Sequence, residues 1–450
     1  QSVVYAINSL ASYIGPVSIL HGDSLLTELA YGDLDAVSLA NDAPPAGYGW
    51  AWARRGEIGL EIFQSDRLPS PGDMALTGFF SFADISRFVQ AVTRNQSNFI
   101  AGLAEYAGGR PMNMLTSGHW YDFGHSSTYH RSRRRMTTER EFNRLSTAGR
   151  SITKTGTKPE KLLAEAIWFE SLPQELRVYT PNYLGKRGDK NNFSYSLEYL
   201  LLPSLADLSV FGRLEANSWM RIFAACDEAL SALSAFPGPS EGIKSAKSLY
   251  RDKTMQRLDL LAASTGINLT KPCRLNGRLL PSLWEIVEST AALISEPTAA
   301  TLVHGDFCFS NLLYDMRADL VRMIDPRGID ASGIMSSYGD IRYDIAKLYH
   351  SAVGLYDQII ADNYQFERHE QLDFSLVLPD TRSVRLVRDV FLTRTFAGMT
   401  ISEAQALPIA VLLFLSMPPL HSDNSKRQMA LLANGLRLFS LLEDSAGHDL

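Results

Sequence analysis

The sequence HGDFCFSN at positions 304–311 constrains this 450-residue chain more than any other stretch. An acid, Asp306, stands five positions before an amide, Asn311, and a second acid, Asp325, follows fourteen positions later at the end of an apolar run. Phosphoryl transfer needs a carboxylate that orients and deprotonates a hydroxyl, and oxygen ligands that hold magnesium on the phosphates. Asp306 suits the first task. Asn311 and Asp325 suit the second, because hard cations prefer carboxylate and amide oxygens.

This pattern, HGDxxxxN followed by a strand that ends in Ile-Asp-Pro, resembles the aminoglycoside phosphotransferase and choline kinase family. The resemblance continues in YGDIRYDIAKL at 338–348, where the family has a turn and then a helix with a buried structural Asp, here Asp344. It implies an ATP-dependent kinase in which Asp306 is the catalytic base and Asn311 and Asp325 bind Mg²⁺. It also implies an α+β, protein-kinase-like bilobal fold.

The two lobes are expected at 137–203 and 204–450, a small N-lobe and a helical C-lobe. Within the N-lobe, TKPE at 157–160 predicts a capped helix that runs to about residue 170. In kinases, a Lys on a strand pairs with a Glu on a helix and binds the α- and β-phosphates. Lys154 and Glu165 are the candidates for this pair. The alternative for this pair is two solvated charges.

The stretch at 192–202 is interpreted as the last N-lobe strand and the hinge between the lobes. Glu198 and Leu200 would there present backbone groups to adenine, although the leucines could equally be core residues. No GxGxxG loop precedes Lys154, so the phosphates would depend on other backbone amides.

Residues 1–136 show a different pattern of mixed strands and helices. The apolar run Val17–Leu20 predicts a buried strand that ends at HGD, 21–23, and strand ends are where open α/β sheets place ligands. A later segment, WYDFG at 120–124, supplies a second acid. Asp23 and Asp122 together would hold Mg²⁺ between an attacking phosphate and the α-phosphate of a nucleoside triphosphate.

That set resembles the sugar-1-phosphate nucleotidyltransferase family, in which two such acids bind the metal. The resemblance implies a Rossmann-like α/β domain that uses CTP or another nucleoside triphosphate. The family begins with a Gly-rich nucleotide loop, and residues 1–22 contain none. Either this loop lies outside the sequence or the unit does not transfer nucleotides, and both readings stay open.

Composition and charge narrow the class of protein. A net charge of −6 gives no reason to expect nucleic acid or an anionic membrane as a partner, and the basic run RSRRR at 131–135 is interpreted as a solvated linker. Three scattered cysteines fit reduced thiols in a cytoplasm. The apolar run at 407–415 is too short to span a bilayer and predicts a buried helix. Nothing in the sequence indicates an oligomeric state.

The leading hypothesis is a small-molecule kinase fused to a nucleotidyltransferase unit, with a hydroxylated small molecule as acceptor. The resemblances imply consecutive steps that activate a sugar or amino-alcohol for surface-polysaccharide or lipopolysaccharide synthesis. One alternative is a regulatory or binding protein with a degenerate transferase domain. Another is an antibiotic phosphotransferase, although Arg327 close to the motif better suits a neutral or anionic acceptor. The alternative for Arg327 is a salt bridge to Asp330 or Asp340. A protein kinase is disfavoured because no HRD, DFG or APE sequence occurs.

Overall fold

A computed structural model describes residues 15–29, 32–40, 49–56, 59–64, 70–116, 118–124, 128–129, 132, 143–148, 150–188, 193–239, 247–330 and 333–446. The chain divides into two compact units, Gln1–Thr138 and Glu139–Leu450. Most of the basic run at 131–135 lies outside the described residues.

In its described residues, the first unit combines a mixed sheet with two helices packed on it. Its strands are β1 Val17–Leu20, β2 Ser24–Thr27, β3 Ala36–Leu39, β4 Ala51–Arg55, β5 Leu60–Gln64, β6 Met74–Phe82, β7 Asn113–Leu115 and β8 His119–Asp122. Its helices are α1 Ile85–Arg94 and α2 Phe99–Gly108. The main sheet runs β5-β4-β6-β3-β7, with β1 also paired to β6, while β2 and β8 form a separate pair.

Two expectations for this unit need correction. The strand β1 is not buried on both faces: its residues alternate between half-buried and exposed, because β6 is its one partner among the described strands. The described strands also do not form the parallel sheet of a Rossmann-like domain. Among their pairings in the main sheet, only that of β3 with β7 is parallel. The short link from β4 to β5 shows why, because a parallel crossover needs a dozen or more residues.

The second unit begins with a small sheet and continues into a mainly helical part. The sheet part contains β9 Asn143–Ala148, β10 Ser151–Gly156, α3 Pro159–Ser171, a 3₁₀ turn Gln174–Tyr179, β11 Tyr183–Arg187 and β12 Ser194–Glu198. The next segment contains α4 Leu205–Val210, α5 Ala216–Ser234, a π-helical turn Lys247–Asp252, α6 Lys253–Thr265, β13 Pro272–Leu275, β14 Arg278–Ser282, α7 Leu283–Ala292 and β15 Thr301–Leu302.

The remaining elements carry the motif and the C-terminal helices. They are a 3₁₀ turn Phe309–Asn311, β16 Leu312–Asp315, β17 Leu320–Met323, β18 Tyr338–Gly339, α8 Ile341–Ala352, α9 Tyr356–Ile360, β19 Gln365–Glu370, β20 Asp373–Val377, α10 Arg382–Leu392, β21 Thr395–Phe396, β22 Met399–Thr400, α11 Ala406–Leu415, a 3₁₀ turn Pro418–His421 and α12 Ser425–Ala446.

The small sheet is antiparallel in the order β11-β12-β10-β9, and α3 packs on it through buried Leu162, Ala166 and Phe169. The expectation of a mixed α/β unit, with a small sheet followed by a mainly helical part, is confirmed. The predicted capping box is wrong, because the helix starts one residue later than expected, with Lys158 as an N-cap whose side chain makes no capping hydrogen bond. Pro159 at the first helical position starts the helix instead.

The apolar run at 407–415 forms α11, which is buried as predicted between its neighbouring helices. Among the described helices, none combines the length and apolar character needed to cross a bilayer.

Candidate active site

The hairpin β16–β17 brings two of the three motif residues to one end. Leu312 pairs with Met323, and the Ile324 N–H donates to the Asn311 carbonyl at 2.9 Å. Asn311 and Asp325 therefore flank the open end of the same hairpin. Asp325 adopts a left-handed backbone conformation, with φ of 57°, which turns the chain sharply where the strand ends.

The third motif residue, Asp306, lies in the loop before this hairpin and is held on both carboxylate oxygens. The Asn311 amide donates to its Oδ2 at 2.9 Å, and the Lys347 ammonium lies 2.8 Å from its Oδ1. Burial alone would raise the pKa of Asp306, but the Lys347 ammonium outweighs it and holds that pKa well below its usual range. The side chain remains 39% exposed, so the carboxylate is ionised, oriented and accessible.

Two buried groups fix the backbone of this loop. The Asp344 carboxylate accepts the N–H groups of His304 at 2.7 Å and Gly305 at 2.8 Å. The fully buried His304 ring bonds the Ile324 carbonyl through Nε2 at 3.0 Å, which ties the loop to the hairpin. Burial lowers the pKa of His304 to about 4, so the ring is neutral and has a structural role. Asp344 therefore has the buried structural position that the resemblance implied.

Lys154 and Glu165 form a buried ion pair. The Lys154 Nζ lies 2.6 Å from Glu165 and 3.1 Å from Asp325 Oδ1, so it links the small sheet to the end of the hairpin. Glu165 is also bonded by the Tyr195 hydroxyl at 2.7 Å. Burial would lower the pKa of Lys154, but Asp325 and Glu165 outweigh it and raise that pKa, which keeps the ammonium charged. Because both side chains are buried, the alternative of two solvated charges is excluded for this pair.

Close packing holds this arrangement together. A Cβ at Gly328, three residues after Asp325, would lie 2.3 Å from the carbonyl oxygen of Ala164, next to Glu165 on α3. The Trp168 indole donates to the Val303 carbonyl at 2.8 Å, so the same helix also contacts the strand before the Asp306 loop. The helix α3 thus touches the chain on both sides of the motif.

The two hinge candidates behave differently. The carboxylate of Glu198 is bonded by the Asn182 amide at 2.8 Å, and its backbone N–H donates to the Asn182 carbonyl at 2.9 Å. Its groups are therefore occupied by the neighbouring β11 region. Leu200 is half-buried, and no hydrogen bond from any described residue reaches its backbone N–H or C=O. Leu200 is thus the better placed of the two to offer backbone groups to a ligand.

Three residues at this site were not predicted from the sequence: Lys347, Lys253 and Arg257. Lys347 could have been predicted, because it follows Asp344 by three positions on α8 and residues with this spacing share a helix face. Lys253 and Arg257 share one face of α6 in the same way, but no sequence signal connects that helix to the motif. Their contacts with Tyr343 and Ser416 depend on helix packing.

In the first unit, Asp23 and Asp122 lie close together although they are far apart in sequence. The β2–β8 pair aligns Ser24 with Asp122, and the Phe123 N–H donates to the Asp23 carbonyl at 2.8 Å. A Cβ added at Gly124 would lie 2.5 Å from Asp23 Oδ2 and 3.4 Å from Asp122 Oδ1. Both carboxylates therefore face this glycine. Asp23 is exposed, whereas Asp122 is buried and bonded by the Thr128 hydroxyl.

The donor sets decide what each site could hold. Among the described residues, no group of three or more His, Cys, Asp or Glu side chains is arranged to bind a metal. Asn311 with Asp325, and Asp23 with Asp122, instead offer two oxygen-bearing side chains each. That is the protein share typical of Mg²⁺, which keeps several waters and is bound largely through substrate phosphates. Each pair could therefore supply the protein ligands of a magnesium ion that arrives with a nucleotide.

Comparisons with known proteins found structural likeness alone. No protein-family model matches the chain, and no curated protein matches it. A thermostable mutant of the aminoglycoside phosphotransferase APH(4)-Ia has 12% identity and a TM-score of 0.41, over 67% of this chain and 92% of that one. An aminoglycoside-3'-phosphotransferase of type VIII has 14% identity and a TM-score of 0.33, over 68% and 92%. An ethanolamine kinase of Plasmodium vivax has 12% identity and a TM-score of 0.39, over 67% and 81%.

Proposed function

We propose that the second unit transfers the γ-phosphoryl group of ATP to a hydroxyl of a small molecule. The observation that carries this proposal is the arrangement around the β16–β17 hairpin. Asp306 and Asn311 are hydrogen-bonded to each other, Asp325 lies at the same hairpin end, and Lys154 reaches Asp325 from the small sheet. Phosphoryl transfer depends on positioning and electrostatic stabilisation, and these are the groups it requires.

Each side chain has a distinct part in this reaction. The ionised Asp306 accepts a hydrogen bond from the acceptor hydroxyl and takes its proton as the phosphoryl group transfers. Lys154, kept charged by its two carboxylate partners, binds phosphate oxygens. Asn311 and Asp325 would hold Mg²⁺, which neutralises charge on the phosphates. The Leu200 backbone offers a donor and an acceptor to adenine, and Glu198 is assigned to fixing the turn beside it.

Replacement of Asp306 by Asn tests this proposal, with Asp259→Asn as control because Asp259 is an exposed acid on α6. Transfer from labelled ATP to a panel of hydroxylated compounds is followed, and Mg·ATP affinity is measured separately. Loss of the base should lower the rate about 10²–10⁴-fold while affinity changes little. Equal rates for Asp306→Asn and the control would refute the assignment.

A second candidate function concerns the first unit, where the two carboxylates that face Gly124 favour metal-dependent nucleotidyl transfer with CTP or another nucleoside triphosphate. Titration with Mn²⁺ tests it through electron paramagnetic resonance. Asp23→Asn and Asp325→Asn should each remove a different bound ion, and Asp33→Asn, at an exposed position, should remove none. If Asp23→Asn binds as much Mn²⁺ as the control, this function is refuted.

Metal binding without nucleotidyl transfer would favour the alternative of a degenerate domain that only binds or regulates. With transfer, the two units would catalyse consecutive steps: ROH and ATP give ROP and ADP, and ROP and a nucleoside triphosphate give NDP-OR and pyrophosphate. Such a sequence activates a sugar or amino-alcohol for surface-polysaccharide or lipopolysaccharide synthesis. An antibiotic as acceptor is the remaining alternative, and it requires a site that accepts a polycation.

A further inference from the structure

A pocket opens beside the Asp306 loop and has no role yet assigned. His304 and Gly305 of that loop contribute to its lining, as do Arg327, Tyr338 and Tyr343. The Arg327 N–H donates to the His304 carbonyl at 2.9 Å, which fixes its backbone against the loop. A ligand in this pocket would thus lie next to the residue proposed as the catalytic base.

Cationic side chains gather around Tyr343, and one of them, Arg327, lines the pocket together with it. The Tyr343 hydroxyl is bonded by Lys253 at 3.1 Å and by Arg327 at 3.5 Å. Both cations also lie over the Tyr343 ring, with Lys253 Nζ at 5.0 Å and the Arg327 guanidinium carbon at 5.9 Å from its centre. Arg257 follows Lys253 by one turn of α6, so three positive charges come from two separate parts of the chain.

Direct ion pairs do not neutralise these three side chains within the part of the chain that the structure describes. None of Lys253, Arg257 and Arg327 forms an ion pair with an acid there. Two acids line the pocket: Asp340 pairs with Arg342, and Asp330 accepts the Ile334 N–H at 2.9 Å, while Asp306 in the neighbouring loop pairs with Lys347. Like charges brought together out of water are costly unless an anion joins them.

The phenol of Tyr343 responds to this excess of positive charge. Burial would raise its pKa, but Lys253, Arg327 and Lys347 outweigh burial and lower that pKa to about 7. An environment that stabilises a phenolate also stabilises a carboxylate or a phosphate. A choline-like or aminoglycoside acceptor carries positive charge and would be repelled from the same place.

We propose that this pocket binds the acceptor through an anionic group, a carboxylate or a phosphate, with Arg327 as its specificity-determining residue and Lys253, which bonds the Tyr343 hydroxyl, as a second positive charge. The inference rests on the proposed phosphoryl transfer, because it places the acceptor hydroxyl beside Asp306. The Arg327 guanidinium presents a planar fork that matches either anion, and Lys253 adds a point charge. The acceptor is therefore a hydroxy acid or an already phosphorylated alcohol or sugar.

A matched set of small hydroxylated probes tests this proposal on the full chain saturated with Mg·ADP, which covers the nucleotide site. Glycerate carries a carboxylate, glycerol 3-phosphate a phosphate, glycerol no charge and ethanolamine a positive charge. Calorimetry should show one of the two anions binding at least about tenfold more tightly than glycerol, as expected of charge-assisted hydrogen bonds. Which anion binds separates the carboxylate from the phosphate.

Variants complete the test. Arg327→Gln and Lys253→Met should weaken anion binding about 10–100-fold and leave glycerol binding unchanged. Lys426→Met is the matched control, because Lys426 lies over the Tyr364 ring at the same 5.0 Å but outside the pocket. If Lys253→Met does not fold, Arg327→Gln decides alone, with Arg327→Lys expected to restore part of the affinity.

Three results would overturn the anion site: no preference for either anion over glycerol, tightest binding of ethanolamine, or equal anion affinities in Arg327→Gln and the control. A failure of the proposed function looks different. Anion binding would persist and depend on Arg327, but Mg·ADP would not bind or no phosphoryl group would reach any bound probe.

Discussion

Removal of the Lys154 ammonium is expected to destabilise the second unit far more than removal of an exposed ammonium with the same contact distance. Lys154 lies 2.6 Å from Glu165, with side chains 7% and 2% exposed. Lys186 lies 2.6 Å from Glu170, with side chains 39% and 52% exposed. Lys154→Met and Lys186→Met therefore form a pair matched in contact distance; they differ in burial and in the second carboxylate, Asp325, which lies 3.1 Å from Lys154 Nζ.

The magnitude follows from the desolvation of Glu165. At 2.6 Å and an effective dielectric constant of about 20, the attraction between the two charges is about 6 kcal/mol before desolvation is subtracted. Removal of one partner from a buried pair costs about 3–5 kcal/mol, because the other charge stays buried without compensation. An exposed pair contributes about 0–1 kcal/mol. Lys154→Met should thus exceed Lys186→Met by at least about 2 kcal/mol.

The loss of stability in Lys154→Met should also depend on pH. Burial raises the pKa of Glu165, and without Lys154 the carboxyl takes up a proton in the folded protein more readily still. An acid whose pKa is higher in the folded than in the unfolded protein lowers the free energy of unfolding at high pH. This loss of stability shrinks as pH falls towards the pKa of the unfolded state. The loss in Lys154→Met should therefore shrink between pH 8 and pH 5, while that in Lys186→Met stays near zero.

Hydrogen exchange of peptides from β10 and α3, followed as urea increases, reports the unfolding free energy of the second unit without a signal from the first. Calorimetry measures Mg·ATP affinity, which should fall in Lys154→Met and not in Lys186→Met. If the two variants lose equal stability and Lys154→Met binds Mg·ATP normally, Lys154 is neither a buried partner of Glu165 nor a phosphate-binding residue.

Further variants test the loop around Asp306. Lys347→Met should raise the Asp306 pKa by about 1–3 units, so the acid limb of the pH–rate profile should move to higher pH by that amount; an unmoved limb would contradict the pairing. Asp344→Asn should lower the unfolding free energy by about 1–3 kcal/mol in urea titrations, because an amide has one oxygen for two N–H groups; an unchanged midpoint would exclude this role. Gly305→Ala should slow phosphoryl transfer and cost about 1–3 kcal/mol, because φ is +78° and the new Cβ would lie 2.8 Å from Arg327 Cβ; normal activity and stability would refute that strain.

The sequence predicted those parts of the site that are close along the chain. Asp306, Asn311 and Asp325 belong to one loop and one hairpin, so their spacing alone brings them to the same place. Lys154 and Glu165 sit on an adjacent strand and helix, and their pairing follows the same local logic.

Contacts between distant helices could not be predicted in this way. Lys253 reaches Tyr343 across 90 positions, and only the tertiary fold determines that contact. The mainly antiparallel pairing in the sheet of the first unit was missed for a related reason. Apolar runs such as β1 indicate a strand but not its partners, and the partners decide both direction and burial.

A crystal structure of the full chain with Mg²⁺ and a non-hydrolysable ATP analogue tests the central claim most directly. Adenine should contact the Leu200 backbone, and Lys154 should contact the phosphates. Asn311 and Asp325 should bind the metal at about 2.0–2.1 Å, with the γ-phosphate facing Asp306. A nucleotide bound elsewhere in the second unit, or a metal that neither Asn311 nor Asp325 ligates, would contradict the account.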